Sequence, residues 1–164
     1  MPKARLPATA GTVPLQGTPL PLDSSLIFKL VRVVNLTARP FLAGLGQAHR
    51  LTLNEWRVMV VLASHPGSAA TEIAEATGLD KMSVSRALSG LRQQARVLLR
   101  SDSNDQRRSH VSLSAAGRKL FALIGGHAIE REAELFNGVS AQELAAMGST
   151  LDKLVLALTA SEAK

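Results

Sequence analysis

The 164-residue chain contains no cysteine, so it forms no disulfide and carries no thiol with which to sense oxidants. No segment approaches the roughly 18 consecutive apolar residues of a membrane span. The N-terminus has Lys3 and Arg5 but lacks the continuous apolar stretch of a secretory signal. A soluble, cytoplasmic protein with no membrane partner is expected. Glycine-rich phosphate loops, nucleophile elbows and paired-carboxylate motifs are also missing, which leaves no catalytic residue to name and argues against an enzyme. The four histidines, His49, His65, His110 and His127, include no pair at metal-ligand spacing, so neither a metal nor another cofactor is expected.

Acidic residues are absent from positions 1–22, a stretch that holds five of the seven prolines and reads as a flexible arm. The remainder is long enough to bury one core without staples. The formal charge of +6 favours a polyanionic partner only weakly, but its placement is uneven. Nine basic residues (Lys81, Arg86, Arg92, Arg96, Arg100, Arg107, Arg108, Arg118 and Lys119) lie between 81 and 119, against the two acids Asp102 and Asp105. Alone, such a run is a solvated face. Its coincidence with a pair of helices and a hairpin gives it another meaning.

Leu26, Ile27, Leu30, Val31, Val34 and Leu36 fall at helical spacing, with Asp23 or Ser24 as N-cap. Pro40 is expected to kink or end this first helix, and Gly44 and Gly46 loosen the segment after it. Thr52-Leu53-Asn54-Glu55 has the T-x-x-E form of a capping box and opens a second helix that His65-Pro66-Gly67 stops. Ser68 to Ala76 is a short helix. The turn at Thr77-Gly78 leads into another, about Asp80 to Gln94, in which Met82, Val84, Ala87, Leu88 and Leu91 are periodic. Arg96 to Arg100 and His110 to Leu113 are strand-like, and the residues between them have the chemistry of a long hairpin. Ser114 caps a further helix to about Phe136. Ser140-Ala141-Gln142-Glu143 is again a capping box, followed by a heptad-like seam of Leu144, Met147, Leu151, Leu154 and Leu158. A seam of this kind in a thin helical layer points to a subunit interface, most commonly a symmetric dimer.

The expected fold is mainly α with a small β-wing: a winged helix-turn-helix domain flanked by N- and C-terminal dimerisation helices. The expected divisions are an arm over 1–22, an N-terminal dimerisation helix over 23–48, the winged domain over 49–117 and C-terminal dimerisation helices over 118–164. To read B-DNA, a helix lays its N-terminal half in the major groove, which places Lys81, Met82, Ser83, Ser85, Arg86 and Ser89 at bases and phosphates. Serines hydrogen-bond, Met82 meets a thymine methyl, and Arg86 forks onto guanine or a phosphate. The bland alternative for Lys81 and the serines is an ordinary exposed helix face. Arg107 and Arg108, at a hairpin tip, suit the narrow minor groove, with Asp105 as a support that orients the arginine.

Taken in order, several motifs resemble those of the MarR family of winged-helix transcriptional regulators. They are Leu51-Thr52-Leu53-Asn54-Glu55-Trp56, Thr71-Glu72-Ile73-Ala74, and Gly78-Leu79-Asp80-Lys81-Met82-Ser83-Val84-Ser85-Arg86. Asp102, Asp105-Gln106-Arg107 and Val111-Ser112-Leu113-Ser114-Ala115-Ala116-Gly117 continue the series. The resemblance covers about 51 to 117. It implies a homodimer on a pseudo-palindromic DNA operator, with the helix from Asp80 in the major groove, Arg107 at the wing tip, and a small molecule tuning affinity. Ala95 stands where the family usually has glycine, Gln106 where a basic residue is common, and Ser114 where threonine is usual. With Ala95 making the turn into the wing, the local backbone is expected to depart from the family norm.

The resemblance also implies an effector, often an aromatic carboxylate or phenol, bound between the dimerisation helices and the winged domain. His49, Arg50 and Trp56 lie at that junction, and Arg32 and Arg39 on the first helix complete the set. Arg50 suits a carboxylate. Trp56 serves as core residue or ligand wall, and His49 taken alone reads as a surface loop residue. The function implied is that of a ligand-responsive repressor released from its operator by an aromatic or heteroaromatic acid. The competing reading is a helical protein-interaction module whose winged domain does not read DNA, against which the basic bias from Lys81 onward counts.

Overall fold

The computed structural model describes residues 24–101 and 109–162. The chain folds as α1 (Leu26–Ala43), α2 (Leu45–Ala48), α3 (Leu53–Ser64), α4 (Ala70–Thr77), α5 (Lys81–Gln93), β1 (Val97–Ser101), β2 (Ser109–Leu113), α6 (Ala115–Leu135) and α7 (Ala141–Glu162). Among the described residues it is mainly helical with one small antiparallel sheet, as expected. Two compact units part between Arg50 and Leu51.

The first unit contains α1 and α2. Ser25, rather than Asp23 or Ser24, is the N-cap of α1: its hydroxyl accepts from the Phe28 N–H at 3.3 Å. Pro40 does not end this helix, which runs three residues past it to Ala43. Pro40 has no N–H to donate back to Leu36, and beyond it Gly44 N–H donates to Pro40 O at 3.0 Å. The four-residue α2 that comes next is an element the sequence pattern does not show. The apolar residues of α1 from Leu26 to Leu36 are exposed.

The second unit has the core. Val58, Met59 and Leu62 of α3, Ile73 of α4, Val84, Ala87 and Leu91 of α5, Val97, Val111 and Leu113 of the sheet and Ile124 of α6 are all buried. Each large side chain in this set contributes about 1.5–3 kcal/mol by leaving water. The capping box predicted at Thr52 is formed: Glu55 N–H donates to Thr52 Oγ1 at 3.2 Å, and Thr52 N–H donates to Glu55 Oε2 at 2.7 Å. Glu55 is itself buried at 5% exposure, and α5 comes so close that a methyl on Gly90 would overlap its carboxylate.

Helix α4 starts at Ala70, two residues later than the sequence suggests, because Ser68 is used otherwise. Its hydroxyl donates to His65 O at 2.8 Å, and its backbone bridges Val111 of β2. The box at Ser140 forms as predicted, with Glu143 N–H on Ser140 Oγ at 3.3 Å and Ser140 N–H on the Glu143 carboxylate at 2.9 Å. Along the predicted seam of α7, Leu144 is half-buried, whereas Met147, Leu151, Leu154 and Leu158 are 38–66% exposed.

Candidate nucleic-acid interface

Helices α4 and α5 are joined by a turn that Gly78 makes in the left-handed region, φ +66°, a conformation that costs glycine nothing. Thr77 locks the turn from both sides, donating from Oγ1 to Ile73 O at 2.6 Å and accepting from Leu79 N–H at 3.3 Å. Asp80 then caps α5, its Oδ1 accepting from the Ser83 N–H at 2.8 Å. Hydrogen bonds from the Ser83 hydroxyl and backbone N–H hold the Asp80 carboxyl below its usual range, and the Arg86 charge adds to the effect. The helix so capped has two faces. Val84, Ala87 and Leu91 point into the core, while Lys81, Met82 (65% exposed), Ser85, Arg86 and Ser89 point outward.

Five of the six residues expected to read DNA on α5 therefore share one open face. The sixth, Ser83, is half-buried and has its hydroxyl engaged within the helix, donating to Asp80 Oδ2 at 2.6 Å and accepting from Arg86 Nη2 at 3.2 Å. The sequence shows the hydroxyl but not that the helix's own cap takes it up.

The wing pairs Val97 with Leu113 through to Ser101 with Ser109. It has a further strap that the sequence pattern does not reveal. Gly67 N–H donates to Val111 O at 2.9 Å, Val111 N–H donates to Ser68 O at 3.0 Å, and His110 Nδ1 lies 2.7 Å from Gly67 O. The loop after α3 thus forms a third edge on β2.

At the foot of the wing, Ala95 takes the left-handed conformation itself, φ +52°. Alanine here adopts a turn conformation that favours glycine. Ala95 N–H to Arg92 O at 2.9 Å and Arg96 N–H to Leu91 O at 2.8 Å close α5 in a Schellman arrangement. Ser114 braces the same point. Its hydroxyl donates to Ala95 O at 2.7 Å and accepts from Gly117 N–H at 3.0 Å, capping α6. The expected tip residues Asp105, Arg107 and Arg108, together with Asp102 and Gln106, lie outside the described residues.

The expected effector residues are distributed over both units. Arg32 and Arg39 are exposed on α1; His49 is half-buried, and Arg50 is exposed with φ +48°. Trp56 is half-buried and stacks on Phe121 of α6, ring centroids 5.3 Å apart and planes 21° from parallel. Within the second unit, an open cleft of about 300 Å³ is lined by Leu62, Ala63, Pro66, Ser112, Leu113, Arg118 and Phe121. Among the described residues lining it, Arg118 supplies the only charge, and it anchors itself by donating to Leu113 O at 2.8 Å. Among the described residues no group of histidine, aspartate and glutamate side chains is placed to hold a metal ion, and no helix is long and apolar enough to cross a membrane.

A short helix, a glycine turn, a capped second helix with an open polar face and a two-stranded sheet define a winged helix-turn-helix protein. Residues 50–108 match the model of the MarR family. The chain resembles a MarR/EmrR family transcriptional regulator from Acinetobacter sp. ADP1, with a TM-score of 0.78 at 24% identity over 85% of this chain and 99% of that one. A probable transcriptional regulator from Pseudomonas aeruginosa gives 0.67 at 27% identity over 81% and 98%. BpsR of Bordetella bronchiseptica, whose DNA binding is regulated by 6-hydroxynicotinic acid, gives 0.71 at 21% identity over 84% and 97%.

Proposed function

We propose that the protein is a cytoplasmic, homodimeric DNA-binding transcriptional regulator, a repressor that leaves a pseudo-palindromic operator when it binds a small aromatic or heteroaromatic acid. The observation that carries this reading is the open face of α5. Lys81, Met82, Ser85, Arg86 and Ser89 project from one side of a helix whose other side is anchored by Val84, Ala87 and Leu91. Such a face enters the major groove, with Lys81 and Arg86 on phosphate or guanine and Met82 against a thymine methyl. Arg107 and Arg108, supported by Asp105, act in the neighbouring minor groove.

Dimerisation is supported by the exposed seam of α7, where four leucine and methionine side chains at heptad spacing face water. Two copies would present two α5 helices to successive major grooves. The chemistry of the ligand is supported by the acid that regulates BpsR and by the cleft beside Phe121, whose apolar walls and single arginine suit a small aromatic acid. Trp56, stacked on Phe121 beside this cleft, is a further residue assigned to the effector.

A gel shift on the duplex upstream of the gene itself tests the reading. A salt-sensitive shift that weakens when Arg107 is replaced by alanine is expected, with a shallower salt slope in the variant. No shift at low salt would remove DNA binding from the proposal. In a thermal-shift screen, an aromatic carboxylate is expected to raise the melting temperature, and the same acid should abolish the gel shift. Failure of every such acid would remove the effector.

A further inference from the structure

The reader helix has a chain of three side chains that no groove contact requires. Asp80, at the cap, accepts the Ser83 hydroxyl proton at 2.6 Å; the oxygen of that hydroxyl accepts from Arg86 Nη2 at 3.2 Å. A hydroxyl has one proton to give, and here the Asp80 carboxylate takes it. Ser83 therefore has no hydrogen left to offer a base, while its oxygen is turned toward Arg86. The carboxylate that orients it accepts a second bond from the Ser83 N–H at 2.8 Å, so the start of the chain is fixed to the backbone of the first helical turn.

We infer that Asp80 and Ser83 are positioning residues that determine base specificity, holding the Arg86 guanidinium in one orientation on the open face of α5 for a guanine edge. An exposed arginine ordinarily spreads over many rotamers, and its binding to any one base carries the cost of selecting among them. One of the five N–H donors of Arg86 is spent on Ser83. The others remain to form the forked pair with guanine O6 and N7. A phosphate contact, by contrast, tolerates many orientations. The tether therefore acts on discrimination between base pairs more than on general affinity. The inference rests on the DNA-reading role proposed above for Arg86.

The test begins with binding-site selection from a random duplex pool, which defines the preferred operator for the full-length wild-type protein. Comparing wild type with Arg86→Ala on single-pair variants of that operator then identifies the base pair that Arg86 reads. At that pair Ser83→Ala is expected to lower discrimination by about tenfold, within the range of one forked contact. Its binding to unrelated duplex should fall by a smaller factor. Ser83→Thr, which keeps the hydroxyl, should restore discrimination. Asp80→Asn, which remains a good N-cap, should lose part of it with little change in melting temperature.

Undiminished discrimination by Ser83→Ala, or a loss that threonine does not rescue, would overturn the inference. Equal weakening on every duplex would do the same by showing a merely structural serine. If Arg86→Ala discriminates like wild type, this inference falls while the regulator reading stands. If the wild-type protein selects no sequence at all, both fall together.

Discussion

Ala95 and Gly117 meet at the foot of the wing with opposite demands. Ala95 sits at φ +52°, where a Cβ costs roughly 1–2 kcal/mol, although glycine returns part of any gain through the freedom of the unfolded chain. Ala95→Gly is therefore expected to stabilise the protein by about 0.5–1 kcal/mol, raising the thermal midpoint by about 1–4 °C. An unchanged or lower midpoint would mean the turn is not strained. Gly117 is the converse case. A methyl there would overlap the Arg96 carbonyl oxygen, a backbone atom held by Ser114 N–H at 2.9 Å and therefore unable to yield cheaply. Gly117→Ala should cost about 2–3 kcal/mol, measured by urea unfolding, and a loss below about 0.5 kcal/mol would show that α6 can move away from the Arg96 carbonyl without consequence. The sequence marks Ala95 as unusual and Gly117 not at all, and only the backbone angle and the neighbouring carbonyl reveal which substitution helps.

Caps and bridges decide events at the level of the element. Thr52→Ala removes an acceptor from the Glu55 N–H and loosens the buried Glu55 that completes the box, so a loss of about 1 kcal/mol is expected in chemical denaturation. Asp80 and Glu143 both titrate below their usual ranges because Ser83 and Ser140 donate to the ionised carboxylates. A carboxyl depressed on folding stabilises above its unfolded pKa. These two contributions should therefore be complete at neutral pH and fade only as the pH falls below about 4, through the folded values. Asp80→Asn should flatten the acid limb of the stability profile; an identical limb would remove Asp80 from it. The boundaries of α3, α5, α6 and α7 were legible because a cap is local, written within four residues. The strap from Gly67 and Ser68 to β2 was not, since it joins positions 43 apart through a segment too short to show alternation. The run of α1 through Pro40 was also hidden, because a single missing N–H does not outweigh the bonds on either side. In the candidate site, the open face of α5 followed from its periodicity. The engagement of the Ser83 hydroxyl did not, because composition shows a donor without showing where its proton goes.

At the level of the whole molecule, the exposed apolar stripe of α7 carries the proposed dimer. Leu151→Glu with Leu154→Glu is expected to leave the helical circular dichroism intact and halve the mass by light scattering. Operator affinity should fall about a hundredfold, the low end of what joining two binding modules provides. A mass unchanged by the double substitution would place the interface elsewhere. The packing of Trp56 on Phe121 has a different consequence. The chain has one tryptophan and no tyrosine, so its intrinsic fluorescence arises almost wholly from a single indole. That indole rests on a ring that also borders the cleft holding Arg118. An occupant of the cleft should alter the emission of Trp56 directly, while a molecule bound far from α3 and α6 should leave its spectrum unmoved, so the protein contains its own optical reporter.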